Sequence, residues 1–312
     1  MLTNYLTRII ETIQDWVLGG VLDALRDAGV EDETLVVFTS DNGPWTAERS
    51  CSGSKGVFTA SWLRENVDPS CTACPSEYTP DPLPGEPRRC VYPGTDYEIE
   101  GVPCGEDSGL GSAWEANVRM PGIVRWPGRV PAGAVSEELV STLDVLPTVL
   151  GIVGGEIPEA VDGVDVKDVF FGDKIAGSAD SERPIFFWRD GFKEGPLPHP
   201  FGRFDVVAIK LGRIKLWFYT KSSHYNADEE VHHDPPLIFD IFNDPGEALP
   251  LDPSEHVELI NRARTLLKDH KDSVDWTSPL TLARDEKYLP CSNAENRCRT
   301  VAQITKKTLN QQ

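Results

Sequence analysis

Asp41-Asn42-Gly43-Pro44 sets a carboxylate beside an amide carbonyl. Hard cations such as Ca²⁺ take such oxygen ligands, although Asn-Gly is equally at home in a plain turn. Cys71-Thr72-Ala73-Cys74 has the spacing of a zinc knuckle, and Cys51, Cys90 or Cys104 can complete a four-ligand set. No His lies between residues 51 and 104, and the other cysteines lack paired spacing, which favours disulfides over zinc. The five cysteines of that interval leave one odd and allow about fifteen pairings, which stay open. Cys291 and Cys298 read most simply as a local bridge. Among the histidines, His232-His233 precede Asp234-Pro235-Pro236 in a loop, and His256 and His270 sit solvated on a terminal helix. Lys221-Ser222-Ser223-His224 groups a Lys and a His that suit an anion. No Gly-rich phosphate loop, G-x-S-x-G elbow or H-E-x-x-H helix is present.

These groups need elements to hold them. Ile9, Ile10, Ile13, Trp16, Val17, Val21, Leu22 and Leu25 step mostly by three and four, the stripe of an amphipathic helix over 5–28. Gly19-Gly20 weakens its middle. The helix starts almost at Met1, so the chain is expected to begin inside a fold. Thr34-Leu35-Val36-Val37-Phe38-Thr39 suits a strand buried on both faces, with Asp41-Asn42 at its carboxyl end, where open α/β sheets place ligands. Residues 45–108 are rich in Pro, Gly, Ser and Glu and read as a long, cross-linked loop or insertion. Gly122–Trp126 is a strand. Val145–Leu150 is a helix with Pro147 in its first turn and Gly154-Gly155 at its end.

From about residue 183 the pattern changes to strands. Ile185–Trp188 is one; Val206–Lys210 and Arg213–Tyr219 flank Leu211-Gly212 as a hairpin; Leu237–Asp240 is another. Val257, Ile260, Ala263, Leu266 and Leu267 mark a helix that covers them. The reading is α/β for residues 1–175 and a small α+β unit for 176–312, with the boundary near Gly172–Ser181.

A chain of 312 residues has a prior of about two domains. Its net charge of −20, from 50 acidic and 30 basic side chains, counts against nucleic acid and anionic membrane as partners. No stretch approaches the ~20 apolar residues of a membrane span. Arg8, Glu11 and Asp15 break up any signal-peptide core in the first thirty residues.

Several ordered blocks together resemble the type I sulfatase family. Asp32–Pro44 is similar to that family's second metal-binding segment. Gly111-Ser112-Ala113-Trp114-Glu115, Val118–Pro121, Val124–Gly128 and Ser141–Thr148 resemble its following blocks. Ile209–Lys215, Asp234–Asp240 and Asp244–Glu247 resemble the tail of the arylsulfatase A and N-acetylgalactosamine-6-sulfatase branches. The resemblance implies the C-terminal portion of an alkaline-phosphatase-like α/β sandwich, plus a small antiparallel sheet packed by a C-terminal helix. It implies hydrolysis of aryl or carbohydrate sulfate esters with Ca²⁺, a formylglycine nucleophile and a secreted or lysosome-like setting. Asp41 and Asn42 match two Ca²⁺ ligands. His224 roughly matches a His that approaches the sulfate. Leu110 stands where the family has a sulfate-binding Lys, and Ala116-Asn117 replace a usual Gly-Gly. No C/S-x-P-x-R run, the source of formylglycine, occurs in the 312 residues. A non-catalytic binding module and a phosphate ester hydrolase of the same superfamily are the competing expectations.

Overall fold

The computed structural model describes residues 3–46, 53–67, 72–73, 79–80, 89–106, 108–172, 183–192, 197–199, 202–221 and 230–274. Met1–Asp272 fall in one compact unit and Ser273–Gln312 in another. Helix α1 (Thr3–Asp27) runs unbroken through Gly19-Gly20. Strand β1 (Val36–Thr39) follows, then helix α2 (Ser61–Asn66). The short strands β2 (Thr72–Ala73), β3 (Thr79–Pro80), β4 (Arg89–Val91), β5 (Glu98–Glu100) and β6 (Val102–Pro103) form two small antiparallel sheets, β2-β6 and β3-β4-β5. Helix α3 (Glu115–Val118), strand β7 (Gly122–Arg125), helix α4 (Val145–Val153) and helix α5 (Lys167–Phe170) complete the first half. α4 has Pro147 in its first turn and stops at Gly154, whose φ of +70° suits a residue without Cβ.

Strands β8 (Pro184–Phe192), β9 (Leu197–His199), β10 (Gly202–Leu211), β11 (Ile214–Thr220) and β12 (Val231–Asp240) form the second half, closed by helix α6 (Val257–Ser273). Their order is β12-β11-β10-β8, with β9 also on β10, and every pairing is antiparallel. β10 and β11 are the expected hairpin, turning at Gly212. Alternation along β10 and β11 sends side chains to opposite faces. Ile209, Leu211, Leu216, Phe218 and Ile238 pack with Ile260 and Ala263 of α6. Ala208, Trp217, Phe239 and Ile241 pack on the other side with Trp114, Ala113, Ala60 and Leu63.

Four expectations change. β1 is only half-buried, and β7 alone pairs with it among the described residues. Residues 45–108 are not merely a loop: Ala60 and Leu63 are core residues of the large sheet. Within the same stretch, Cys90 and Cys104 are fully buried and disulfide-bonded, which removes their thiolates from any zinc set, while Cys51, Cys71 and Cys74 lie outside the described residues. His232-His233 belong to β12 rather than a loop. Their strand skips pairing over Asp234–Pro236, where the register shifts and proline has no N–H to donate. His270 is not solvated on α6. It stacks on Phe186 at 3.8 Å and accepts a hydrogen bond from Trp188 Nε1 at 3.2 Å. Burial holds its pKa below the ordinary value, against the opposing charge of Asp162.

Candidate functional site

The chain leaves β1 at Thr39 and turns through Ser40–Pro44. Asp41 Oδ1 accepts from the Asn42 N–H at 2.9 Å and from Ser40 Oγ at 3.4 Å. Asn42 Nδ2 donates to Gly43 O at 2.9 Å, and Ser40 Oγ to Asn42 O at 3.1 Å. Asp41 Oδ2 and Asn42 Oδ1 have no hydrogen bond among the described residues, which leaves two hard oxygens for a cation. The described residues hold no group of three or more His, Cys, Asp or Glu able to enclose a metal. Asp41 and Asn42 therefore fit Ca²⁺ as two ligands of a larger set.

The turn rests on the block that starts at Trp114. Gly43 N–H donates to both Asn117 O, at 3.0 Å, and Asn117 Oδ1, at 3.1 Å. A Cβ on Gly43 would lie 1.9 Å from Ala116 O, so only glycine permits this approach. Leu110 reaches the same turn, its N–H donating to Pro44 O at 3.0 Å. A Cβ on Gly109 would come within 2.0 Å of Pro44 O. Ser112 ties that loop together, with its Oγ donating to Ser108 O at 2.7 Å and its N–H to Gly109 O at 3.0 Å. The Leu110 loop thus lies against the turn that carries Asp41 and Asn42, through the backbone of Pro44. His224 lies outside the described residues.

Sequence reasoning passed over two features. Lys55 Nζ donates to the buried Ser108 Oγ at 2.9 Å, which brings an ammonium group within two residues of Leu110. Beneath the turn sits a buried ionic cluster. Lys210 and Lys215 face each other across the β10–β11 hairpin, an unfavourable like-charge pair. Glu115 relieves it, with Oε2 at 3.3 Å from Lys210 Nζ and Oε1 at 3.1 Å from Lys215 Nζ. Lys215 also contacts Glu247 Oε1 at 3.2 Å and donates to Ala113 O. Glu247 accepts from Trp217 Nε1 at 2.9 Å and from the Glu115 N–H at 2.8 Å. Its φ of +48° is left-handed, a strain held by surrounding contacts.

Burial alone would raise the Glu115 pKa, but the two ammonium groups outweigh it and hold the carboxyl below its ordinary value. Burial pushes Glu247 up, against the pull of Lys215 and with the repulsion of Glu115. Burial lowers Lys210, against the attraction of Glu115. The signal for this cluster was a charged residue inside an apolar run, as in Trp114-Glu115-Ala116 and Ile214-Lys215-Leu216-Trp217, because a buried charge requires a partner.

The sequence model of the sulfatase family matches residues 1–155, and that of the C-terminal region of aryl-sulfatase matches 180–300. The chain is 29% identical over 288 residues to arylsulfatase G of Canis lupus familiaris, which aligns 89% of this chain with 44% of that protein. It is 27% identical to human arylsulfatase A, covering 87% of this chain and 45% of the other. The chain therefore spans less than half the length of these relatives. A sulfatase crystal structure from Pseudoalteromonas superposes with a TM-score of 0.54 at 21% identity, over 83% of this chain and 40% of that one. Its likeness places the architecture in the alkaline-phosphatase-like α/β fold. With both family models matched in order along the chain, the protein belongs to the sulfatase family.

Proposed function

We propose that this chain supplies the C-terminal part of a sulfate ester hydrolase site, acting on aryl or carbohydrate sulfates. The supporting observation is that Asp41, Asn42 and Leu110 meet on one pair of turns, joined through Pro44 and Asn117. Asp41 and Asn42 would hold Ca²⁺, which when bound neutralises charge on sulfuryl oxygens. Gly43 and Asn117 hold the turn that presents these oxygens. Residues 1–175 form the C-terminal part of the catalytic α/β domain and residues 176–312 a small α+β unit. The gap between the two family matches, 155 to 180, supports that division. The formylglycine nucleophile belongs to a segment other than these 312 residues, His224 approaches the sulfate, and the compartment is secreted or lysosome-like. No helix among the described residues is long and apolar enough to cross a membrane.

Leu110 favours a second reading, sulfate binding without turnover, because a leucine cannot stabilise negative charge as an ammonium does. Equilibrium binding of 4-nitrocatechol sulfate and of the matching phosphate ester, with and without Ca²⁺, tests the assignment. Ca²⁺-dependent binding that prefers the sulfate and is lost in Asp41→Ala is expected. Preference for the phosphate would move the chain to phosphate ester chemistry. Turnover of the sulfate by the purified chain, abolished in Asp41→Ala, would overturn the missing nucleophile.

A further inference from the structure

The Asn117 side chain touches both turns of the candidate site. Its Oδ1 accepts from the Gly43 N–H at 3.1 Å, next to Asn42. Its Nδ2 donates to Ser112 O at 2.6 Å, in the loop that carries Leu110. The same residue's backbone is fixed at both ends: its N–H donates to Trp114 O at 2.8 Å, and its carbonyl takes the Gly43 N–H at 3.0 Å. Behind it stands the buried Glu115–Lys215–Glu247 cluster, which anchors α3 to the large sheet.

A primary amide is required for this bridge. Asn and Gln carry an acceptor and a donor on one planar amide; Gln is a methylene longer, and the imidazole of His, which also has both, is bulkier and sets them at a different spacing. Asp would keep the acceptor for Gly43 but set a second oxygen against Ser112 O. Ala or Ser cannot span the two backbones. A cation ligated by Asp41 and Asn42 and an anion bound beside Leu110 are held at a spacing that this amide sets.

We infer that Asn117 is a positioning residue that fixes the Asp41-Asn42 turn against the Leu110 loop, acting on the bound cation through Gly43 without ligating it. The inference rests on the proposed reading of Asp41 and Asn42 as cation ligands.

Terbium luminescence in the full chain, sensitised by Trp45 next to Pro44, provides the test. Groups that orient metal ligands typically contribute 10- to 100-fold in affinity, so Asn117→Ala should weaken Tb³⁺ binding by about 10-fold. Asn117→Asp, nearly isosteric, should also bind more weakly than the parent, although it adds negative charge near the ion. Leu63→Ala, in the core behind the sheet, should lower the melting temperature and leave Tb³⁺ affinity in place. Unchanged binding in Asn117→Ala overturns the inference, and so does tighter binding in Asn117→Asp, which would make Asn117 a ligand or a charge site. Asp41→Ala separates the two levels. If it binds Tb³⁺ as well as the parent, the cation reading itself fails and the inference falls with it. If Asp41→Ala loses binding and Asn117→Ala does not, only the positioning role fails.

Discussion

The five-stranded sheet and the β1–β7 pair use similar residues and reach opposite ends. On the sheet, Val206, Ala208, Ile209, Leu216 and Ile238 are almost wholly buried, because α6 covers one face and the Trp114 block the other. On the pair, Ile123 is 56% exposed, and on α1 Trp16 is 75% exposed despite a regular apolar stripe. Periodicity records which face of an element prefers burial. Whether that face is buried depends on what lies across from it, which a local pattern does not encode. The candidate site joins the two regions: its Asp41-Asn42 turn leaves the poorly covered β1, and its support comes from the well-covered sheet.

The contrast is open to direct attack. The largest effect is expected at Lys215. Lys215→Ala leaves Glu247 without its cation inside the core, and removing one partner of a buried ion pair costs about 3–5 kcal/mol. Urea denaturation would read this, and a cost below about 1 kcal/mol would mean that water reaches the cluster. Leu63→Ala should cost about 2–5 kcal/mol, the range for truncating a leucine in a core. A negligible loss would return α2 to the status of a surface loop. His270 offers a pH test of the α6 side. Its folded pKa is depressed, so the neutral form is favoured in the folded state. That stability is present above the ordinary value of about 6.5 and is lost as pH falls through the folded pKa. The imidazolium could no longer accept from Trp188 Nε1. The melting temperature should therefore drop between pH 7 and 5, and less steeply in His270→Gln; parallel curves would remove His270 from the account. The smallest effect is expected on α1, where Trp16→Ala should change stability by no more than about 0.5 kcal/mol. A much larger loss would show that the α1 stripe is covered in solution and would collapse the contrast.

Much of the fold was legible. The β10–β11 hairpin, α4 with Pro147 and Gly154, and α6 all follow from local turn and capping chemistry. The convergence of Asp41 with Leu110 was legible only through the order of the family blocks, since nearly seventy residues separate them. Asn117 was visible only as a departure from Gly-Gly, because its bridge depends on two backbones that the chain brings together late. Lys55 was passed over because its contact with Ser108 spans 53 positions that no spacing rule connects. His270 was misread because helical position alone cannot reveal an aromatic partner on β8.

The gap in β12 has a consequence beyond its own register. β12 is an outer strand of the large sheet, and an outer strand displays unpaired amides that can recruit a strand from another molecule. Pro235 and Pro236 remove two successive donors from that rim. Arg264 pairs with Asp234 beside them and sets charge along the same border. The sheet thereby resists growth into a fibre at the strand where a ladder of exposed backbone would otherwise invite it.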